Sequence, residues 1–150
     1  MSEKSNLGMG VMINMLAGYD SKTKEAIASC IGQTIRSVIM KEGESGPDTI
    51  TLVLDNCNLI LWDDGQSCCE HRYMHTDDEI NRIKGQELRD IKLEDGPDEE
   101  MSYDVKESQF LHIVTDKDQI TIVNYNEHNG YYGGFSLRAA VHEHNKMVKS

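Results

Sequence analysis

A chain of 150 residues is long enough for one domain with its own core, and no run in it is apolar for long enough to span a bilayer. Its formal net charge of −11 disfavours direct binding to nucleic-acid phosphates and attachment to anionic membranes. The same charge suits a solvated surface, a basic protein partner, or mimicry of nucleic acid before a protein that binds it.

Residues 1–30 read as an N-terminal extension ending in a short helix, and residues 31–150 as a single β-rich domain with a C-terminal helical tail. Met1-Ser2-Glu3-Lys4 carries no secretory pattern, and the apolar run from Val11 to Ala17 is short and broken by Asn14. The cysteines Cys30, Cys57, Cys68 and Cys69 are therefore expected as thiols in a cytoplasmic setting. Met9, Met12 and Met15 recur at three-residue spacing, which fits one helical turn or a tail ordered on contact. Ser21 offers a capping hydroxyl, and Lys22 to Cys30 places Ala26, Ile27, Cys30 and Ile31 on one helical side.

From Thr34 the period changes to two. Ile35, Ser37 and Ile39 alternate with Arg36, Val38 and Met40, which predicts a strand. Thr49–Leu54 and Leu59–Trp62 flank Asp55–Asn58 and predict a hairpin. Thr76 followed by Asp77, Asp78 and Glu79 predicts a capped helix over His75–Lys84, anchored by Ile80 and Ile83. Leu88, Ile91 and Leu93 are the inward residues of the next strand. Glu94–Asp104, rich in acids and lacking Lys or Arg, predicts a solvated loop. Phe110–Thr115 and Gln119–Tyr125 form a second hairpin around Asp116–Asp118. Leu137, Val141, His144 and Val148 then fall at helical spacing.

The expected fold class is α+β: a twisted, mainly antiparallel sheet of about six strands with two or three short helices. Each hairpin is followed by a chemically dense cluster, Cys68-Cys69-Glu70-His71 after the first and Asn129-Gly130-Tyr131-Tyr132 after the second. Two hairpins of one sheet would bring both clusters to the same end.

Ile31-Gly32-Gln33-Thr34-Ile35, the first hairpin, the Cys-Cys-Glu run and the Asn-Gly-Tyr-Tyr run occur in this order. In this the chain resembles a small domain of unknown function that recurs in bacteriophage and bacterial proteins. The likeness covers roughly Ile31 to Arg138. That family has Ser after the two tyrosines, where this chain has Gly133. The resemblance implies a β-rich, cytosolic, phage-encoded domain and carries over no activity and no catalytic residue.

Cys68, Cys69, Glu70, His71 and His75 contain zinc-ligand chemistry, and a second ligand pair would have to come from Cys57, His112 or His128. Adjacent strand cysteines point to opposite faces, so no metal and no cofactor are expected. A cysteine nucleophile would need His71 or His128 as base, and the acidic surroundings raise a thiol pKa. Two tyrosines beside glycines offer stacking faces or an interface anchor, and equally an ordinary turn. No catalytic set is complete.

The expectation is a non-enzymatic acidic phage accessory protein, acting in the host cytoplasm, that binds and modulates a host protein with a basic surface, with counter-defence as one role. A small-ligand or nucleotide-signal sponge and a virion component are the alternatives, and homo-oligomerisation stays open. The candidate binding residues are Cys68, Cys69, Glu70, His71, Asn129, Gly130, Tyr131 and Tyr132, together with Asp98, Glu99 and Glu100. These last three lie in the run Asp77–Glu107, where twelve acids face five Lys or Arg.

Overall fold

A computed structural model describes residues 21–44, 46–64, 70–100, 104–129 and 134–144. The methionine-spaced N-terminus, Cys68, Cys69, Gly130, Tyr131, Tyr132 and Val148 lie outside them. The helix α1 (Ser21–Cys30) buries Ile27 and Cys30, with Ala26 and Ile31 against the core, as its period requires. Nine strands follow among the described residues: β1 (Ile35–Lys41), β2 (Thr49–Leu54), β3 (Cys57–Asp63), β4 (His71–His75), β5 (Leu88–Asp95), β6 (Glu99–Glu100), β7 (Val105–Thr115), β8 (Gln119–His128) and β9 (Leu137–Glu143).

These strands make two antiparallel sheets, not one. The first has the order β1-β2-β3-β9, and the second β4-β8-β7-β5 with β6 also on β7. The expected single six-stranded sheet with two or three helices is thereby overturned: the fold is mostly β, with one α-helix among the described residues. Three local readings account for the difference. Leu137–Glu143, helical by spacing, is β9, which pairs with β3 over seven residues from Leu137↔Asp63 to Glu143↔Cys57. His75–Lys84 contracts to a 3-10 turn over Ile80–Ile83, and Asp78 Oδ2 accepts from the Thr121 amide instead of capping a helix. Glu94–Asp104 is not all loop, since β5 continues to Asp95 and Glu99–Glu100 pairs with β7. The two hairpins also part company, β2–β3 lying in the first sheet and β7–β8 in the second.

Alternation aims one face of each sheet at a shared core. Ile50, Leu52, Leu54, Leu59 and Leu61 come from the first sheet, and Ile91, Leu93, Leu111, Ile113, Ile120 and Ile122 from the second. Each such side chain contributes roughly 1.5–3 kcal/mol on burial, so these two faces dominate stability. Two bulges change the phase of the pattern. Between Ile35 and Ser37 the β1 register slips, so Val38 turns inward and Ile39 is left 51% exposed. Between Leu88 and Asp90 the β5 register slips likewise, and Asp90 and Ile91 are both buried.

Each terminal strand has a backbone N–H held by a side chain. Val38 N on β1 donates to Asn81 Oδ1 (3.0 Å), and Ala139 N on β9 to Thr23 Oγ1 of α1 (3.3 Å). Met74 N on β4 donates to Asp48 Oδ2 (2.9 Å), and Ile91 N on β5 to Asp90 Oδ1 (2.8 Å).

Candidate binding site at the polar end of the core

The inward face of β8 changes character along its length. Ile120 and Ile122 are buried, and so are Asn124, Asn126 and His128 that continue the same alternation. Their register partners change with them: Gln109 and Met74 oppose Asn124, and Glu107 and Arg72 oppose Asn126. From the first sheet Asp63, the last residue of β3, joins this group. One end of the space between the sheets is therefore built of polar side chains.

Arg72 organises it. Its Nη1 donates to Asp63 Oδ1 (2.8 Å), and its Nη2 reaches both Glu70 oxygens (3.1 and 3.0 Å). All three side chains are buried. A planar guanidinium fork suits two carboxylates in this way, where a lysine would not. Two carboxylates share one cation, so the trio carries one net negative charge. Burial is the main reason that the Asp63 carboxyl is pushed above its ordinary range, with Glu70 adding to the effect and Arg72 and the Ser136 amide opposing it.

Asn126 joins the two ends of the cluster-bearing segments. Its Nδ2 donates to Glu70 Oε2 and to the Gly134 carbonyl, both at 3.0 Å. Gly134 N donates to Glu107 Oε1 (2.8 Å), which also meets His128 Nε2 (3.0 Å). Gly134 has φ +83, a conformation that glycine adopts without strain. Ser136 N donates to Asp63 Oδ1 (2.9 Å). Glu70 and the residue that follows the Tyr-Tyr-Gly run are thus brought to one amide, although their hairpins belong to different sheets.

Of the other expected site residues, His71, Asp98, Glu99 and Asn129 are placed by the structure. His71 lies on the outer face of the second sheet, in a register row that runs Glu99, Lys106, Glu127, His71. Its ring is 4.8 Å from that of Tyr73, whose hydroxyl donates to Glu127 Oε2 (2.6 Å). Burial, then this bond, pushes the Tyr73 hydroxyl pKa up. Lys106 Nζ stands 4.3 Å over the Tyr125 ring. Glu99 therefore shares a row with His71, while Asp98 is exposed and Asn129 is an exposed residue at the end of β8. Among the described side chains, neither Asp98 nor Glu99 takes part in the Glu70 network. Among the described residues no three of His, Cys, Asp or Glu gather as metal ligands do.

Beside the polar core end opens a cavity of about 670 Å3, lined by Glu42, Gly43, Glu44, Gly46, Pro47 and Asp48 between β1 and β2, by Asp63 and Asp64, by His71 to Met74, and by Asn124. The loop is folded tightly. A side chain at Gly43 would run into the carbonyls of Gly46 and Pro47, and the Gly43 amide donates to Asp48 Oδ1 (3.0 Å). With its other oxygen on Met74, Asp48 fixes the loop to the edge of β4. Asn124 is 2% exposed, and neither end of its amide has a hydrogen-bond partner among the described residues; the same holds for Asp63 Oδ2. Buried polar atoms are nearly always paired, so this concentration beside a cavity marks a place where a ligand can bind.

Residues 28–137 match the DUF7448 family, a domain of unknown function. The chain belongs to this family. No curated protein and no solved structure matches it. None of these comparisons assigns a role to Asp63, Arg72, Asn124 or Asn126. Residue types alone also passed them over. For Asn124 and Asn126 a signal is present, the unbroken alternation Ile120, Ile122, Asn124, Asn126, His128, in which polar residues occupy inward positions.

Proposed function

We propose that this DUF7448 chain is a non-enzymatic acidic protein that binds and modulates a host protein whose own surface is basic. The observation that supports it is the cavity between the β1–β2 loop and β4, whose lining includes five carboxylates, Glu42, Glu44, Asp48, Asp63 and Asp64. Arg72 offsets little of this charge, since its fork is already divided between Asp63 and Glu70. Acidic surfaces of this kind guide the encounter with basic partners and weaken with salt. A phage origin, action in the host cytoplasm and a counter-defence role belong to the same proposal, on the strength of the motif resemblance and the net charge.

Tagged chain used to capture partners from host lysate tests this reading, with two neutralised variants beside it. Glu42→Gln, Glu44→Gln, Asp64→Asn should lose the captured protein. Asp98→Asn, Glu99→Gln, Glu100→Gln should slow association at low salt and leave dissociation nearly unchanged, because loop charges steer without anchoring. A partner retained equally by both variants at every salt concentration rules out the acidic cavity as its docking point.

A further inference from the structure

We propose that the cavity beside β4 is a recognition site for an alkyl guanidinium or ammonium group, received by Asp63 Oδ2 and Asn124 Oδ1 at its inner wall and by Glu42, Glu44 and Asp64 around it. This deepens the partner-protein reading above and rests on it for the source of the cation.

The chemistry follows from what is already paired and what is not. Asp63 gives one oxygen to Arg72 and to the Ser136 amide, while Oδ2 is buried with no partner among the described residues. Asn124, opposite Gln109 and Met74 in the second sheet, lines the cavity with an amide that has no hydrogen-bond partner at either end among the described residues. An anion is the wrong guest. It would meet the net negative charge of the Asp63, Glu70 and Arg72 trio, and Arg72, the buried cation described there, is already divided between two carboxylates. A cation meets acceptors in need of donors, and it cancels the charge that the trio leaves over. Asp64 keeps much of its own charge, since Arg138 Nε stands 3.7 Å away and the Asp64 side chain is 60% exposed.

The rest of the wall fits an alkyl stem. Pro47, Tyr73 and Met74 line the same cavity and give apolar surface to the methylenes behind a charged head. A volume of about 670 Å3 exceeds one headgroup, so it has room for the residues flanking a Lys or Arg side chain, or for water beside a free amine. The Asn124 Nδ2 donor then finds an acceptor in that water or in a flanking carbonyl.

The test is a nitrogen–proton NMR titration of the full chain with four probes: agmatine, cadaverine, the peptide acetyl-Gly-Arg-Gly-amide, and neutral butylurea. Saturable shifts at the Asn124 side-chain amide and at Arg72 to Met74 are expected with the cations. Binding should weaken by about tenfold or more in Asn124→Leu and in Glu42→Gln, Glu44→Gln, since a lost charge-assisted contact has roughly that effect. The second variant alters exposed residues and keeps the test valid should the first fail to fold. No saturable shift with any cation, equal binding of butylurea, or unchanged affinity in the variants overturns the site. Tighter binding of the peptide than of agmatine identifies a partner's side chain as the source. Binding of the free amines without the peptide keeps the cation site and removes the partner-protein reading. A partner captured through the acidic cavity while no probe binds does the reverse.

Discussion

Asn126 Nδ2 lies 3.0 Å from Glu70 Oε2, and this single amide ties the start of β4 to the segment that leads into β9. It links the second sheet to the polypeptide that re-enters the first. Asn126→Leu removes both of its donations from a buried place, so a loss of about 1–3 kcal/mol is expected by urea unfolding. Faster hydrogen exchange at Gly134 should accompany the loss. Full protection at Gly134 in the variant would show that the glycine is held by Glu107 alone.

Arg72→Met should be the most damaging change in this region. It leaves two buried carboxylates without their shared cation, a situation that costs about 3–5 kcal/mol. The deficit should shrink as pH falls. Asp63 is already held above its ordinary range by burial, and without the opposing Arg72 it rises further and accepts a proton more readily. A deficit that stays constant from neutral to acid pH would contradict this account.

Asp90 gives a cleaner titration. Burial at the β5 bulge lifts its carboxyl above the ordinary range, against the Ile91 amide and Lys92. A folded-state pKa above the unfolded one means that stability is greatest below the unfolded value, about 3.9, and is lost as pH rises through the folded value. Asp90→Asn keeps an acceptor for the Ile91 amide without the charge. The variant should be more stable than the parent chain at neutral pH, and its advantage should vanish in acid. Thermal unfolding of both chains across pH measures the two curves.

Cys30 Sγ sits 3.6 Å from Cys57 Sγ, with both residues buried. Burial, with help from the Cys57 contact, pushes the Cys30 pKa up to about 12. At pH 8 only about one Cys30 in ten thousand is then the reactive thiolate. Alkylation of the native chain followed by peptide mapping should leave Cys30 unmodified, with rapid labelling once denaturant is added. Prompt native labelling of Cys30 would mean that α1 opens from β9 far more often than its packing implies.

Local pattern was enough to read most elements and not enough to assemble them. The β2–β3 hairpin was legible because two β-rich runs flank a short Asp/Asn turn, and α1 because Ala26, Ile27, Cys30 and Ile31 repeat at helical spacing. β9 was not, because Leu137, Val141 and His144 satisfy a helical period equally well. What decides for a strand is the open edge of β3, and that pairing joins residues far apart in sequence. The site was hidden for a related reason. Reading polar residues as solvated sends Asn124 and Asn126 outward, whereas their strand phase aims them in, where Arg72 and Asp63 from two other strands complete the group. Glu70 stands out in the sequence for its place beside two cysteines and a histidine, but its partners could only be seen in three dimensions.

The side chains seated on the four terminal strands also bear on how this molecule meets others. A second copy attempting to add a strand to either sheet would find donors already engaged: at Val38 by Asn81, at Ala139 by Thr23, at Met74 by Asp48 and at Ile91 by Asp90. Open sheet edges are the usual templates for fibre growth, and the exposed Ile39 lies on one of them. One engaged donor on each terminal strand leaves fewer free backbone groups for pairing with another chain, which tilts encounters toward side-chain contacts.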